Sequence, residues 1–280
     1  MKWRTLILGK IALSAIAISA APLPLGPLAN ESYWSDGKAE FDLYDAQLMR
    51  AGELRHGELM LIFFREKIDP QTFARVDDLH REDLLWVIRM SEIWSAPIGL
   101  FTEQGSIAGY WRMDGTLVRL SYVGTDSFGN ISRKIETKDG VTVFTSDTYR
   151  DGIITSLITL PADAVFYEEL PMHVRALDFS KAETAIQLAS PLTTSKTIEF
   201  KPAKIICQHA ERQIVITVQR AGGTDRFVLD PDFPFLLREW EMAAGSKLKM
   251  KRDLKADYWN YRKNGDRERA LNNPMLRHPD

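Results

Sequence analysis

The chain has 280 residues, 45% hydrophobic and 26% charged. That is enough apolar material for one large core, and it excludes a disordered or collagen-like polymer. Its 36 Lys and Arg stand against 38 Asp and Glu, a net charge of -2, so there is no global basic field for a nucleic-acid backbone and any anion binding has to be local. The single cysteine, Cys207, excludes an internal disulfide framework and a Cys-cluster zinc site, because both need several sulfurs.

Residues 1–21 read as a secretory signal peptide. Met1-Lys2-Trp3-Arg4 is cationic, Ile11 to Ala21 is apolar, and small residues near Ala17, Ser19 and Ala20 come before Pro22, Pro24 and Pro27. The apolar run is too short to cross roughly 30 Å of hydrocarbon, and Lys10 interrupts any longer one. An uncleaved anchor is the alternative. No later segment is long and apolar enough to span a membrane, so the protein is not expected to be integral after cleavage. Residues 22–36 read as a proline-rich lead-in, 37–260 as a single β domain, and 261–280 as a polar, frayed tail.

Within the domain, Asp114-Gly115, Asp139-Gly140, Asp151-Gly152 and Gly222-Gly223 each separate β-branched and aromatic runs, a strong short-range signal for hairpins. Four hairpins follow: Ile107–Met113 with Thr116–Val123, Ser132–Lys138 with Val141–Thr148, that strand with Ile153–Leu160, and Arg212–Arg220 with Thr224–Leu229. Helix is expected only over Pro70 to Leu85 and Ala162 to Glu169, the second ended by Pro171. The fold class is therefore mainly β: an antiparallel meander forming a curved sheet or half-barrel with one or two short helices.

A fifth hairpin has a definite register. Phe235 to Met242 and Lys247 to Lys251 alternate so that a three-residue loop, Ala243-Ala244-Gly245, sets Glu241 against Lys247, Trp240 against Leu248 and Glu239 against Lys249. A loop with an even residue count would face Arg238 with Lys251. The lysines are thereby partly neutralised, which leaves Arg252, Lys255, Arg262 and Lys263 as the candidate anion contacts.

No catalytic motif emerges. Phosphate-cradling glycine loops are absent, and Ser127 in Gly124-Thr-Asp-Ser-Phe-Gly129 has the wrong glycine spacing for a nucleophile elbow. The five histidines lack metal-ligand spacing, so no metal and no cofactor is expected and the catalytic residues, if any, are unassigned. Cys207 and His209 share a strand face only if 205–209 is extended. The aromatic load on the strands suits a core, or a curved sheet that holds an acyl chain. Trp94, Trp111, Tyr110 and Tyr122 are the candidate ligand contacts, because Gly99 and Gly105 mark a place where a strand bends and opens.

The segment Asp36-Gly37-Lys-Ala-Glu-Phe-Asp-Leu-Tyr44, then Ala51-Gly52-Glu-Leu-Arg-His-Gly-Glu58 and the apolar Leu59 to Phe64, resembles the opening of a bacterial envelope protein family of unassigned activity. Trp34, Gly37, Ala39, Glu40, Gly52, Glu53, Gly57 and Glu58 carry the match, with weaker similarity over Leu160 to Pro171. Members often bear the label "septum formation inhibitor Maf" by transfer. Maf-like nucleotide pyrophosphatases open with an S-x-S-P-R-R phosphate loop and alternate β and α, and this chain does neither. More distantly the layout is similar to periplasmic half-barrel proteins of unknown function and to lipoprotein-carrier half-barrels. The resemblance implies an envelope setting and a half-barrel fold, with no catalytic residues.

The expected protein is periplasmic or secreted and non-enzymatic. It binds an apolar or amphipathic ligand such as a lipid, or an envelope protein partner, on the concave face of a curved β-sheet, and it does not bind nucleic acid. The alternative is a periplasmic hydrolase acting on an envelope polymer or ester, with a site assembled from distant carboxylates and histidines.

Overall fold

The computed structural model describes residues 24–76, 80–126, 129–161 and 163–276. The signal-peptide segment 1–21, Asp77, Asp78 and Ser127 lie outside them. Strands β1 (Ala39–Arg50), β2 (Glu53–Ile68), β3 (Leu85–Ile98), β4 (Phe101–Arg112), β5 (Leu117–Asp126), β6 (Gly129–Lys138), β7 (Val141–Thr148) and β8 (Gly152–Ile158) form one continuous meander. A short strand β9 (Ala164–Val165) leads through a 3-10 turn at Tyr167–Glu169 into helix α1 (Leu170–Ala176). A second meander follows: β10 (Glu183–Ala189), β11 (Phe200–Ala210), β12 (Gln213–Arg220), β13 (Gly223–Leu229), β14 (Leu237–Glu241) and β15 (Lys247–Ala256), and then helix α2 (Asp266–Asn272).

All fifteen strands belong to one sheet, in the order β8-β7-β6-β5-β4-β3-β2-β1-β15-β14-β13-β12-β11-β10-β9. The first and last strands pair at its middle, and its two edges, β8 and β9, follow one another in the chain. Only β9 and β10 run parallel. The sheet is open, curved and mainly antiparallel, because most neighbours are joined by hairpin loops and only the β9–β10 pair is joined through a helix, α1.

The turn chemistry explains the hairpins. Asp139 and Gly140 have φ of 51° and 76° and connect the pair Lys138–Val141, as a primed two-residue turn requires. In the hairpin before Thr224 the loop is Ala221-Gly222, one residue earlier than expected, with Arg220 opposite Gly223. The β14–β15 hairpin has the expected register: Glu239 opposite Lys249, Trp240 opposite Leu248, Glu241 opposite Lys247, with Gly245 at φ 95°. Glu241 and Lys247 lie 3.2 Å apart and Glu239 and Lys249 4.0 Å apart.

Four expectations are corrected. The described part of 70–84 contains no helix. The Asp69 carboxylate accepts the Gln71 and Thr72 amides at 2.8 and 3.0 Å, a local bond that competes with helix, and Phe73 turns under the outer face onto Ile68, Val87 and Val118. The second helix starts at Leu170 rather than ending before Pro171, since proline suits a first helical turn. Folding does not begin near Gly37: Leu25, Leu28 and Trp34 are core residues, and the Trp34 indole donates to the Leu28 carbonyl at 2.9 Å. The tail does not fray from 261, because α2 returns to the outer face, where Arg267 meets Glu58 at 2.8 Å.

One face of the sheet collects most of the core. Alternate residues such as Tyr44, Leu61, Met90, Trp111, Phe144, Ile216 and Phe227 form a single cluster with the α1 residues Leu170, Met172 and Val174. All seven residues of α1 are buried, so the helix is wrapped by the sheet, and we call this the inner face.

Candidate ligand-binding site

The inner face is closed around polar groups that partner one another. Arg175 of α1 is fully buried and donates to both carboxylate oxygens of Glu40 at 2.5 and 3.0 Å, and to the Pro234 carbonyl. The Tyr33 hydroxyl donates to Glu40 at 2.6 Å. Farther along, the Trp111 indole donates to Glu169 at 2.7 Å and His173 lies 3.4 Å from the same carboxylate. Charged groups held this deep are tolerated only when paired or neutral.

Three acids take the neutral route. Burial, and then the charge of Glu40, push the Asp42 carboxyl well above the usual range against the pull of Arg175, and neither oxygen has a hydrogen-bond partner. Burial lifts Glu92 to about 7, opposed by Arg50. It lifts Glu168 to about 8, opposed by backbone donors that include the Thr193 amide at 3.3 Å. Glu92 and Glu168 can therefore hold or release a proton near neutrality. Neither groove described below is lined by Glu92, Glu168, Glu169 or His173.

The aromatic candidates divide between the faces. Trp94, Trp111 and Tyr122 are buried on the inner face, each packed against a glycine. A Cβ on Gly105 would sit 2.5 Å from the Trp94 ring, one on Gly109 1.9 Å from Trp111, and one on Gly124 2.1 Å from the Tyr122 hydroxyl. The glycines in β4 and β5 thus make room for rings rather than opening a mouth. Tyr110 points to the outer face and packs on the Ile68, Phe73, Val87 and Val118 cluster. Cys207 is half-buried, 4.0 Å from His209, and burial pushes its thiol up, the reverse of nucleophile activation.

Among the described residues two cavities lie on the outer face. Met60, Ile93, Ser106 and Val123 are successive cross-strand partners on β2 to β5, and Glu58, Ser95, Gln104 and Thr125 form the parallel polar row beside them. These two rows floor a groove of about 640 Å³ walled by Leu43 and Arg267. Ile93 and Val123 remain about half exposed. A second cavity of about 350 Å³ adjoins it under α2, sharing Leu43, Met60 and Arg267 and adding Phe41, Leu254 and Leu271. Both volumes fall within the range of small-molecule sites.

Three of the four anion candidates, Arg252, Arg262 and Lys263, line this second cavity. Arg252 donates one Nη to the Asn273 carbonyl at 3.3 Å while its buried Nε has no partner. Arg262 and Lys263 are exposed and form no side-chain ion pair among the described residues. Lys255 lies elsewhere. A bulge in β15 moves the register from Leu43–Arg252 to Tyr44–Met250 and so turns Lys255 inward, where it pairs with Asp36 at 3.1 Å and stands over the Tyr33 ring. Sequence reading missed the apolar floor. Its signal was the unbroken run Leu59 to Phe64, apolar on both strand faces, which asks for cover on both sides.

No family model matches the chain, and no curated protein is similar to it in sequence. Among solved structures it is similar to a beta-barrel-like protein of the domain of unknown function DUF1849 from Brucella abortus, with a TM-score of 0.49 and 9% sequence identity over 79% of this chain and 98% of that one. The Maf label has no support: the sheet is built of hairpins, with no β/α alternation. Among the described residues no helix is long and apolar enough to cross a membrane, and no group of three or more His, Cys, Asp or Glu could hold a metal ion.

Proposed function

We propose that this is an exported cell-envelope protein that binds an amphipathic, anionic ligand, an acyl chain with a phosphate or carboxylate head, in the outer-face trough. The observation that carries this reading is a pair of adjoining cavities that share Leu43, Met60 and Arg267, with an apolar floor, Met60, Ile93 and Val123, beside cations that form no ion pair among the described residues, Arg262 and Lys263, and the partly satisfied Arg252. The chain lies on the apolar row and the head meets the guanidinium and ammonium groups, the usual division of labour in such sites. The reading keeps the ligand class expected from the sequence and moves it from the inner face, where Trp94, Trp111 and Tyr122 are buried in the core, to the outer one.

Export rests on the cationic start, the short apolar stretch and the following prolines. Because Leu25 and Leu28 are core residues, cleavage is expected before Leu25. Intact mass of the exported protein measures this, and retention of Met1 to Ala15 counts against it. For the ligand, native mass spectrometry of protein purified from its own envelope should show co-purifying lipid. A fluorescent fatty acid should bind saturably, about tenfold or more weakly to Ile93→Asp and to the double variant Arg252→Glu with Lys263→Glu. No saturable binding at any chain length, or equal binding by all three proteins, overturns the proposal.

A further inference from the structure

The two edges of the sheet are built differently. Edge β9 has two residues, with Val165 fully buried, and runs directly toward α1. Edge β8 has seven residues, Gly152-Ile-Ile-Thr-Ser-Leu-Ile158, with no charge, no proline and an unbroken register against β7 from Thr142–Ile158 to Thr148–Gly152. Natural sheets blunt such edges with lysine, proline or a bulge, because a bare row of backbone donors and acceptors recruits another strand. Nothing in β8 does so, and its outer side chains Ile153 and Leu157 are 75% and 76% exposed.

We propose that two copies of this chain associate through β8, antiparallel and centred on Thr155, into one continuous sheet. The occupant is a second copy because β8 is complementary to its own reversal, as a two-fold interface requires. Pairing Thr155 with Thr155 sets Ile153 opposite the partner's Leu157 and Ile154 opposite the partner's Ser156. The dyad of an antiparallel self-pair is normal to the sheet, so all four exposed aliphatic side chains gather on the outer face as two cross-strand apolar pairs. The charges at the end of β8 do not oppose this. Arg150 and Asp151 fall opposite the partner's 160 and 159, at the two far ends of the pairing, and Asp151 is already held by Lys196 at 2.7 Å.

The test uses the full mature chain. Sedimentation across a concentration series should show a monomer–dimer equilibrium, weakened at least tenfold by Leu157→Lys, a change at an exposed position that leaves the fold intact by circular dichroism. In a Cys207→Ser background, Thr155→Cys should form an intermolecular disulfide on mild oxidation, because residues directly opposite in antiparallel strands place their Cα atoms within bridging distance. Ile153→Cys should not, since its own copy lies four residues away along the pairing. A monomer at every concentration, a dimer indifferent to Leu157→Lys, or cross-linking at 153 in place of 155 overturns the inference.

Discussion

On the inner face of the sheet Arg175 spends its guanidinium on Glu40 and the Pro234 carbonyl, and Glu169 is held between Trp111 and His173. On the outer face Arg262 and Lys263 stand exposed beside an apolar floor. The same residue types therefore serve two ends in one sheet. Where water is excluded, a charge has to find a partner or shed its charge, and it becomes part of the fold. Where water remains, a charge can stay unpaired at small cost and is available to a ligand. Polar groups on the inner face should thus govern stability, and those on the outer face binding.

The largest expected effect is on Arg175. Its replacement by Met removes the guanidinium that neutralises the fully buried Glu40 carboxylate and should cost about 3–5 kcal/mol, read as a lower urea midpoint at unchanged slope. Adding Glu40→Leu should recover part of the loss, because the uncompensated charge goes with it. A loss near zero for Arg175→Met would break the contrast between the faces.

Next is the pH dependence set by Glu168, whose carboxyl is raised from 4.5 to about 8. In this window the folded state keeps the proton that the unfolded chain releases. Stability is therefore fully present below about pH 4.5 and falls as pH rises toward 8, by up to about 1.4 kcal/mol per pH unit for this group. Glu92, raised to about 7, adds to the same fall up to that pH. Glu168→Gln retains an acceptor for the Thr193 amide and removes the titration. The variant should match the parent near pH 4.5 and exceed it by several kcal/mol at pH 9 in urea unfolding.

Smaller still is the cost of crowding the inner aromatics. Gly109→Ala drives a methyl into the buried Trp111 ring and should destabilise by about 1–3 kcal/mol, lowering the melting temperature. Ile93→Asp on the outer face should shift stability by only about 0.5 kcal/mol while weakening ligand binding about tenfold or more, which sharpens the comparison. A comparably small effect belongs to the exposed Glu241–Lys247 pair of the last hairpin, whose double-mutant cycle should return about 0.2–1 kcal/mol.

Much of the strand layout was legible because its causes are local. Asp139-Gly140 can form a tight hairpin turn from its own backbone preferences, and the opposed Glu and Lys pattern around Ala243-Ala244-Gly245 admits one register without like charges face to face. Helix α1 was less legible: a seven-residue helix buried on every side shows no amphipathic period, and Pro171 reads equally as an end or a beginning. The candidate site was half legible. Arg252, Arg262 and Lys263 stood out as a basic stretch, whereas Met60, Ile93 and Val123 lie on three strands far apart in sequence.

The sequence by itself determined that this chain makes hairpins, where some of them turn, and that it carries no catalytic signature of fixed spacing, since all of these depend on neighbours within a few residues. Only the tertiary structure decided which face is inner. That choice depends on where α1 docks and on a single bulge in β15 that turns Asp253 and Lys255 inward. It also decided that Trp94, Trp111 and Tyr122 fill a core while α2 folds back to wall a trough, because burial is set by contacts between residues that the chain separates by a hundred positions or more.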